Sequence, residues 1–182
     1  MSYLEHLSKI DTIILDVDGV LTDSLLHVLE DGKLLRRMHT RDGYALKRAV
    51  QQDYRIIIIT GGRSEGVIHR LKNLGISEIY SGIQDKLEVM DDLIEVYGLN
   101  VAKTAYMGDD MPDYESMRVV ALPACPNNAA PEIKAISQYI SPYNGGEGCV
   151  RDLLEKIMKV QGKWVATDVV NLTEDKSPFD DF

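Results

Sequence analysis

A parallel β-sheet covered by helices on both faces, an α/β fold, is what three features of this sequence predict. Short unbroken apolar runs alternate with amphipathic stretches, the pattern of strands buried on both sides by crossover helices. Three of those runs stop abruptly at aspartate, threonine or glycine, as strands do where their carboxyl ends open into ligand-binding loops. The 182 residues are 45% hydrophobic and 27% charged, the composition and length of one folded domain. The expected architecture is a Rossmann-like three-layer domain over residues 1–164, with a small β-hairpin insert and no large cap domain, followed by an acidic tail over residues 165–182.

Taken in order, Thr12-Ile13-Ile14-Leu15 is the first strand, and its continuous hydrophobicity suits the middle of a sheet. Between Leu25 and Thr40, the string Glu30-Asp31-Gly32-Lys33 divides two β-capable runs, which predicts a hairpin with an Asp-Gly turn. Further strands are predicted at Arg55–Ile59, ending in Thr60-Gly61-Gly62, and at Thr104–Met107, ending in Gly108-Asp109-Asp110. Helices are expected over Gly43–Gln52, Glu65–Leu74, Lys86–Tyr97, Met111–Met117, Pro131–Ser137 and Val150–Val160, with Gly75 and Gly98 as stops. The last strands are placed at Val119–Leu122 and Gln138–Ile140. In the tail, Asp168, Glu174, Asp175, Asp180 and Asp181 face only Lys176.

The charge of the whole chain, −9, argues against nucleic acid, whose phosphates call for concentrated Lys and Arg. No apolar run approaches the ~18 residues that span a bilayer, and the first residues show no basic stretch leading into an apolar one. A cytoplasmic protein without a membrane partner is expected. Cys125 and Cys149 form no C-x-x-C pair, so both are expected to be reduced and structural.

The most informative string is Asp16-Val17-Asp18-Gly19-Val20-Leu21-Thr22-Asp23, directly after a buried strand. A carboxylate can attack phosphorus and form an aspartyl phosphate, which divides hydrolysis into two displacements. A second carboxylate two residues on can protonate the leaving oxygen and later activate water. Gly19 lets the backbone turn sharply and keep both acids near one phosphoryl position. Taken alone, Asp-x-Asp-Gly also fits a solvated turn or a calcium loop. The Thr60 hydroxyl and Gly61 amide could hold a phosphate oxygen, or simply close a strand. Lys86, opening a helix, could neutralise phosphate, or be a surface lysine. Asp16, Asp109 and the Asp18 carbonyl form an oxygen set suited to Mg2+. Asp110 is expected to orient that cluster, and Asp113 also suits plain placement against a helix dipole.

The order Asp-x-Asp, Thr, Lys, Asp-Asp, with three of the four at strand ends, resembles the haloacid dehalogenase superfamily. Arg41-Asp42-Gly43-Tyr44, Ile59-Thr60-Gly61, Tyr106-Met107-Gly108-Asp109-Asp110 and Gly145-Gly146-Glu147-Gly148-Cys149-Val150-Arg151-Asp152 extend the likeness from about Ile10 to Trp164. Over that length the chain resembles the family of small phosphatases acting on 3-deoxy-D-manno-octulosonate 8-phosphate. That resemblance implies a magnesium-dependent hydrolase of lipopolysaccharide precursor synthesis, with Asp16, Asp18, Thr60 and Lys86 catalytic. It further implies a homotetramer in which hairpins associate and neighbouring chains complete the site. Substrate contacts implied are His39, Thr40, Arg41, Asp42, Gly43, Lys47, Arg70 and Lys86; Asp18, Gly61, Gly62 and Arg63 are expected beside them from their place at the strand ends. An acidic protein must indeed place local cations to receive a sugar that carries both carboxylate and phosphate.

Two departures stand out. Gly62 intervenes where many family members follow Thr-Gly with Arg, and Glu147 stands where others have Arg. They leave 2-keto-3-deoxynononate 9-phosphate as an alternative substrate, although the Arg41–Tyr44 string favours the octulosonate. A non-catalytic domain of the same fold is the other reading, opposed by the presence of Asp16, Asp18, Thr60, Lys86 and Asp109. With so short an insert the chain has no lid of its own. The apolar residues Leu25, Leu26, Val28, Leu29, Leu34 and Leu35 are therefore expected to pair subunits, and Gly145–Gly148 to let a neighbouring chain approach the sugar.

Overall fold

The structure is a computed structural model that describes residues 3–164; the expected acidic tail lies outside the described residues. A short helix α1 (Tyr3–Leu7) leads into β1 (Thr12–Leu15). The hairpin β2 (His27–Val28) and β3 (Leu34–Leu35) precedes α2 (Thr40–Gln51). Strands and helices then alternate: β4 (Arg55–Thr60), α3 (Glu65–Asn73), β5 (Glu78–Ser81), α4 (Lys86–Glu95), β6 (Thr104–Met107), α5 (Tyr114–Arg118), β7 (Leu122–Cys125), α6 (Pro131–Ile136), β8 (Tyr139–Ile140) and α7 (Cys149–Val160).

The main sheet runs β5-β4-β1-β6-β7-β8, every pairing parallel. From β1 the chain steps outward through β4 and β5, then returns to the other side of β1 for β6. The connections on either side of β1 thus diverge, which opens a crevice at its carboxyl end. Successive side chains of a strand point to opposite faces, and here each face has its own core. Ile13, Leu15, Ile56 and Ile58 pack with Leu46, Leu71 and Leu153 from α2, α3 and α7. Ile14, Ile57, Ile59 and Tyr106 pack with Met90, Met117 and Ile133 from α4, α5 and α6.

Local chemistry fixes the helix starts. The Ser64 side chain accepts from the Val67 N–H at the head of α3, and Asp85 accepts from Leu87 and Glu88 at the head of α4. The hairpin turns at Asp31-Gly32, where Gly32 has φ +81°, a conformation that favours glycine.

Four elements differ from the sequence expectation. β5 had no strand assigned, because Glu78-Ile79-Tyr80-Ser81 is an edge strand whose residues are all half-buried, with no apolar run to read. The strand expected at Val119–Leu122 lies at Leu122–Cys125, where Pro123, which has no amide hydrogen to give the ladder, interrupts the strand pattern. The helix expected over Met111–Met117 is a tight turn at Met111–Asp113 followed by α5. Helix α2 starts earlier than expected, taking Thr40, Arg41 and Asp42 into its first turn.

Candidate active site

Alternation along β1 decides where Asp16 points. Ile14 faces the α4–α6 core and pairs in register with Tyr106 of β6, so Asp16, two residues on, continues toward that side. There Lys86, the first residue of α4, places its Nζ 2.9 Å from Asp16 Oδ1 and 2.7 Å from Asp113 Oδ1. The Tyr106 hydroxyl donates to Asp113 Oδ1 at 2.9 Å, and the Asp109 amide donates to Asp113 Oδ2 at 3.2 Å. Asp16, Lys86, Tyr106 and Asp113 are all buried.

Burial, then the carboxylate of Asp113, push the Asp16 pKa up to about 6 against the pull of Lys86. Burial, then Asp16, Asp113 and Asp110, push Asp109 up to about 7. Burial works against the charge of Lys86, but Asp113 and Asp16 outweigh it, so its pKa is raised. The site therefore holds more negative charge than one ammonium group relieves.

Two glycines allow this crowding. Gly19 has φ +94°, and a Cβ there would lie 1.9 Å from Asp109 Oδ2, so the Asp109 side chain passes directly over it. A Cβ on Gly145 would lie 1.8 Å from the Gly19 carbonyl oxygen, and the Gly146 amide donates to Val20 O at 2.9 Å. Gly145 and Gly146 thus pack on the catalytic loop of their own chain, while Gly148 has open space beside it.

Beside Asp16 the cleft, roughly 370 Å3, is lined by Asp18, Thr60, Gly61, Gly62, Lys86 and Asp109 among others. The Gly62 amide donates to Thr60 Oγ1 at 3.2 Å. Asp18 is held from the hairpin side: Arg36 donates from Nε to Oδ1 at 2.7 Å and from Nη2 to Oδ2 at 3.0 Å. Asp110 is exposed and accepts from the Met111 amide at 2.8 Å, capping the turn. Asp113, expected to support the cluster or to sit against a helix dipole, is 1% exposed and lies at the centre of the network.

Asp16, Asp109 and Asp113 each bring a carboxylate oxygen within 4.8 Å of the other two. An all-oxygen set in which burial and neighbouring carboxylates drive two acids toward protonation fits a hard divalent cation. Asp113 already accepts from three donors, so it orients the group, while Asp16 and Asp109 are the better placed to hold an ion.

The remaining expected contacts lie elsewhere in the single chain. His39 and Arg41 line a second cavity of roughly 240 Å3 with Arg151 and Glu147. Thr40, Arg63 and Arg70 line a broad groove between the hairpin and α3. Lys47 is exposed on α2. Asp42 and Gly43 are buried, Asp42 accepting from the Arg151 amide at 2.8 Å at the head of α7 and Gly43 lying under the Arg70 guanidinium.

Sequence reasoning passed over Arg36 and Tyr106. Tyr106 sits in an apolar run and reads as core. Arg36 follows Leu34-Leu35 in a hairpin, and only its contact 18 residues back reveals a partner.

A family model described as haloacid dehalogenase-like hydrolase matches residues 73–153. The 3-deoxy-D-manno-octulosonate 8-phosphate phosphatase of Escherichia coli strain K12 is 36% identical over 155 residues, 85% of this chain and 82% of that protein. The crystal structure of the enzyme of that name from Moraxella catarrhalis, in complex with magnesium, phosphate and the sugar acid, superposes with a TM-score of 0.85. It is 32% identical, and the match covers 93% of this chain and 96% of that one. A cobalt-bound form of the Haemophilus influenzae enzyme gives a TM-score of 0.84 at 30% identity, covering 91% and 97%. At such identity and coverage, with the acids, threonine and lysine converging at the end of the central strand, this chain belongs to the 3-deoxy-D-manno-octulosonate 8-phosphate phosphatase family of haloacid dehalogenase-like hydrolases, and is a phosphoric monoester hydrolase.

Proposed function

We propose that this enzyme hydrolyses 3-deoxy-D-manno-octulosonate 8-phosphate to the free sugar acid and phosphate. The observation that carries the reading is the buried Asp16, with Lys86 2.9 Å from one oxygen and Asp18 beside it in an open cleft. The relative from Moraxella catarrhalis, with magnesium, phosphate and the sugar acid bound, supports the choice of substrate.

In this scheme a carboxylate oxygen of Asp16 attacks phosphorus, the bond from phosphorus to the sugar oxygen breaks, and Asp18 gives its proton to that oxygen. Water then attacks the phosphorus of the aspartyl phosphate while Asp18 takes its proton, and phosphate leaves with Asp16 restored. Thr60, the Gly61 amide and Lys86 hold the phosphoryl oxygens. A magnesium ion held by Asp16, Asp109 and the Asp18 carbonyl would neutralise charge on the phosphoryl group. Asp113 and Tyr106 keep Lys86 and Asp109 in place.

Recognition of the sugar would fall to Arg41, Lys47, Arg63 and Arg70. Because they do not line the Asp16 cleft of their own chain, the reading includes a homotetramer, assembled through the hairpin, in which one copy presents cations to another. No described helix is long and apolar enough to cross a membrane, and the cytoplasm is the proposed compartment.

A phosphate-release panel of eight- and nine-carbon sugar acid phosphates and neutral sugar phosphates, with and without magnesium, tests the reading. The highest kcat/KM is expected for 3-deoxy-D-manno-octulosonate 8-phosphate, and only with the metal. Preference for the nine-carbon acid, or full activity in excess chelator, would refute it.

A further inference from the structure

The hairpin is attached to the catalytic loop in two places by consecutive arginines. Arg36 grips Asp18 through two hydrogen bonds, and Arg37 pairs with Asp23 at 2.6 Å. A bridge between Thr22 and Met38 lies beside them. The Arg36 contact is the unusual one. Its side chain is 5% exposed, and its third donor, Nη1, is buried with no acceptor. A guanidinium placed that way grips both Asp18 oxygens but leaves one of its own nitrogens without an acceptor, so an incoming anion has something to offer it.

Gly62 supplies an independent observation. A Cβ there would lie 2.9 Å from Asp18 Oδ2 and 3.0 Å from Arg36 Nη2. The ion pair lies directly over the backbone of Gly62. The bare glycine leaves room for an arginine arriving from the hairpin.

We propose that Arg36 is a positioning residue that latches Asp18: in the free enzyme it holds the carboxylate toward the hairpin, and the anionic group of the sugar acid substrate draws the guanidinium away. An Asp18 with both oxygens engaged by Arg36 is ill placed to pass a proton to the leaving sugar oxygen. A ligand shifts such an equilibrium only through contacts it makes better in one state. A substrate carboxylate meets that condition by giving Arg36 a new partner, whereas a phosphate ester without a second anion does not. The latch makes selectivity for sugar acids a property of the release of Asp18 as well as of binding. It rests on the phosphatase reading of Asp18.

The test compares Arg36→Ala and Gly62→Ala with the wild type on two substrates, 3-deoxy-D-manno-octulosonate 8-phosphate and glucose 6-phosphate, which lacks a carboxylate. Removing the latch should raise kcat for glucose 6-phosphate at least threefold and lower kcat/KM for the sugar acid phosphate at least tenfold. Gly62→Ala, which keeps both ionic partners and crowds their contact, should move both values the same way by less. Arg36→Lys should fall between Arg36→Ala and the wild type, because an ammonium cannot reproduce the paired grip. A parallel loss on both substrates marks a merely structural residue, and no change on either marks an idle one; each overturns the latch. In the wild type, the Arg36 Nε–H resonance, assigned by its absence in Arg36→Lys, should shift when the sugar acid and inorganic phosphate are added together. An unmoved resonance overturns the latch even if the enzyme releases phosphate normally, while failure of the wild type to release phosphate from any ester overturns the underlying reading.

Discussion

At the carboxyl end of β1, Asp16, Lys86 and Asp113 are buried and bonded to one another within a single chain. A few residues further on, the hairpin leaves Leu25 68% and Val28 72% exposed, with Leu26, Leu29, Leu34 and Leu35 also open to solvent. In one region the side chains are bonded to one another; the other presents apolar surface that water does not favour and that the described residues do not cover. The contrast separates two tasks. Phosphoryl chemistry is supplied by one polypeptide, and sugar recognition, on the proposed reading, is completed by another.

The largest expected effect breaks the first region alone. Asp16→Asn should bring phosphate release below detection and leave the oligomer intact, because an amide is neither a nucleophile nor a good ligand for magnesium. Activity within tenfold of the wild type would dismiss the aspartyl-phosphate route. Asp18→Asn should cost about a hundred- to ten-thousand-fold in kcat, again without altering the mass measured by light scattering. Leu26→Asp or Val28→Asp should do the reverse: the tetramer dissociates, and selectivity between sugar acid and neutral sugar phosphates falls by about tenfold, equivalent to about 1.4 kcal/mol. A monomer with undiminished selectivity would show that the two regions are not divided as described.

Smaller effects refine the picture of the cleft. Gly145→Ala should destabilise the fold by about 1–3 kcal/mol, seen as a lower Tm, since its Cβ would meet the Gly19 carbonyl; an unchanged Tm would mean the loop yields easily. The smallest effect is in pH. Asp16 and Asp109 have pKa values raised from 3.8 to about 6 and about 7, so the folded metal-free protein binds their protons more tightly than the unfolded chain. Their burial is therefore best tolerated at pH values below 3.8, and stability is lost as pH rises through 6 and 7. Magnesium should raise Tm more at pH 7.5 than at pH 5, and an equal gain at both would contradict the placement of the ion between these acids.

Most of the sheet could be read from the sequence because Thr12–Leu15, Arg55–Thr60 and Thr104–Met107 are buried on both faces and hence continuously apolar. The strands that escaped, or shifted, lack that signature: β5 lies at the edge and β7 contains Pro123. The same logic governs the site. Asp16, Asp18, Thr60, Lys86 and Asp109 follow strands or open a helix, so their neighbourhood was implied by the order of elements. Asp113 was legible as an acid but not as a buried one, because burial depends on Lys86, 27 residues away, and on Tyr106 across the turn. Arg36 depends on a contact that neither periodicity nor spacing encodes.

The glycine segment has a consequence for the order in which the enzyme becomes active during synthesis. Val20, in the catalytic loop, is held by the Gly146 amide and accepts the thiol of Cys149, 129 residues further along the chain. Val20 is made well before Gly146 and Cys149, so the loop lacks these clamps until the glycine segment has followed. At ribosomal speeds of about 5–20 residues per second, the nascent chain spends several seconds with its nucleophile made but its loop unclamped. The helix that begins at Cys149 thereby sets when the loop carrying Asp16 can reach its folded arrangement.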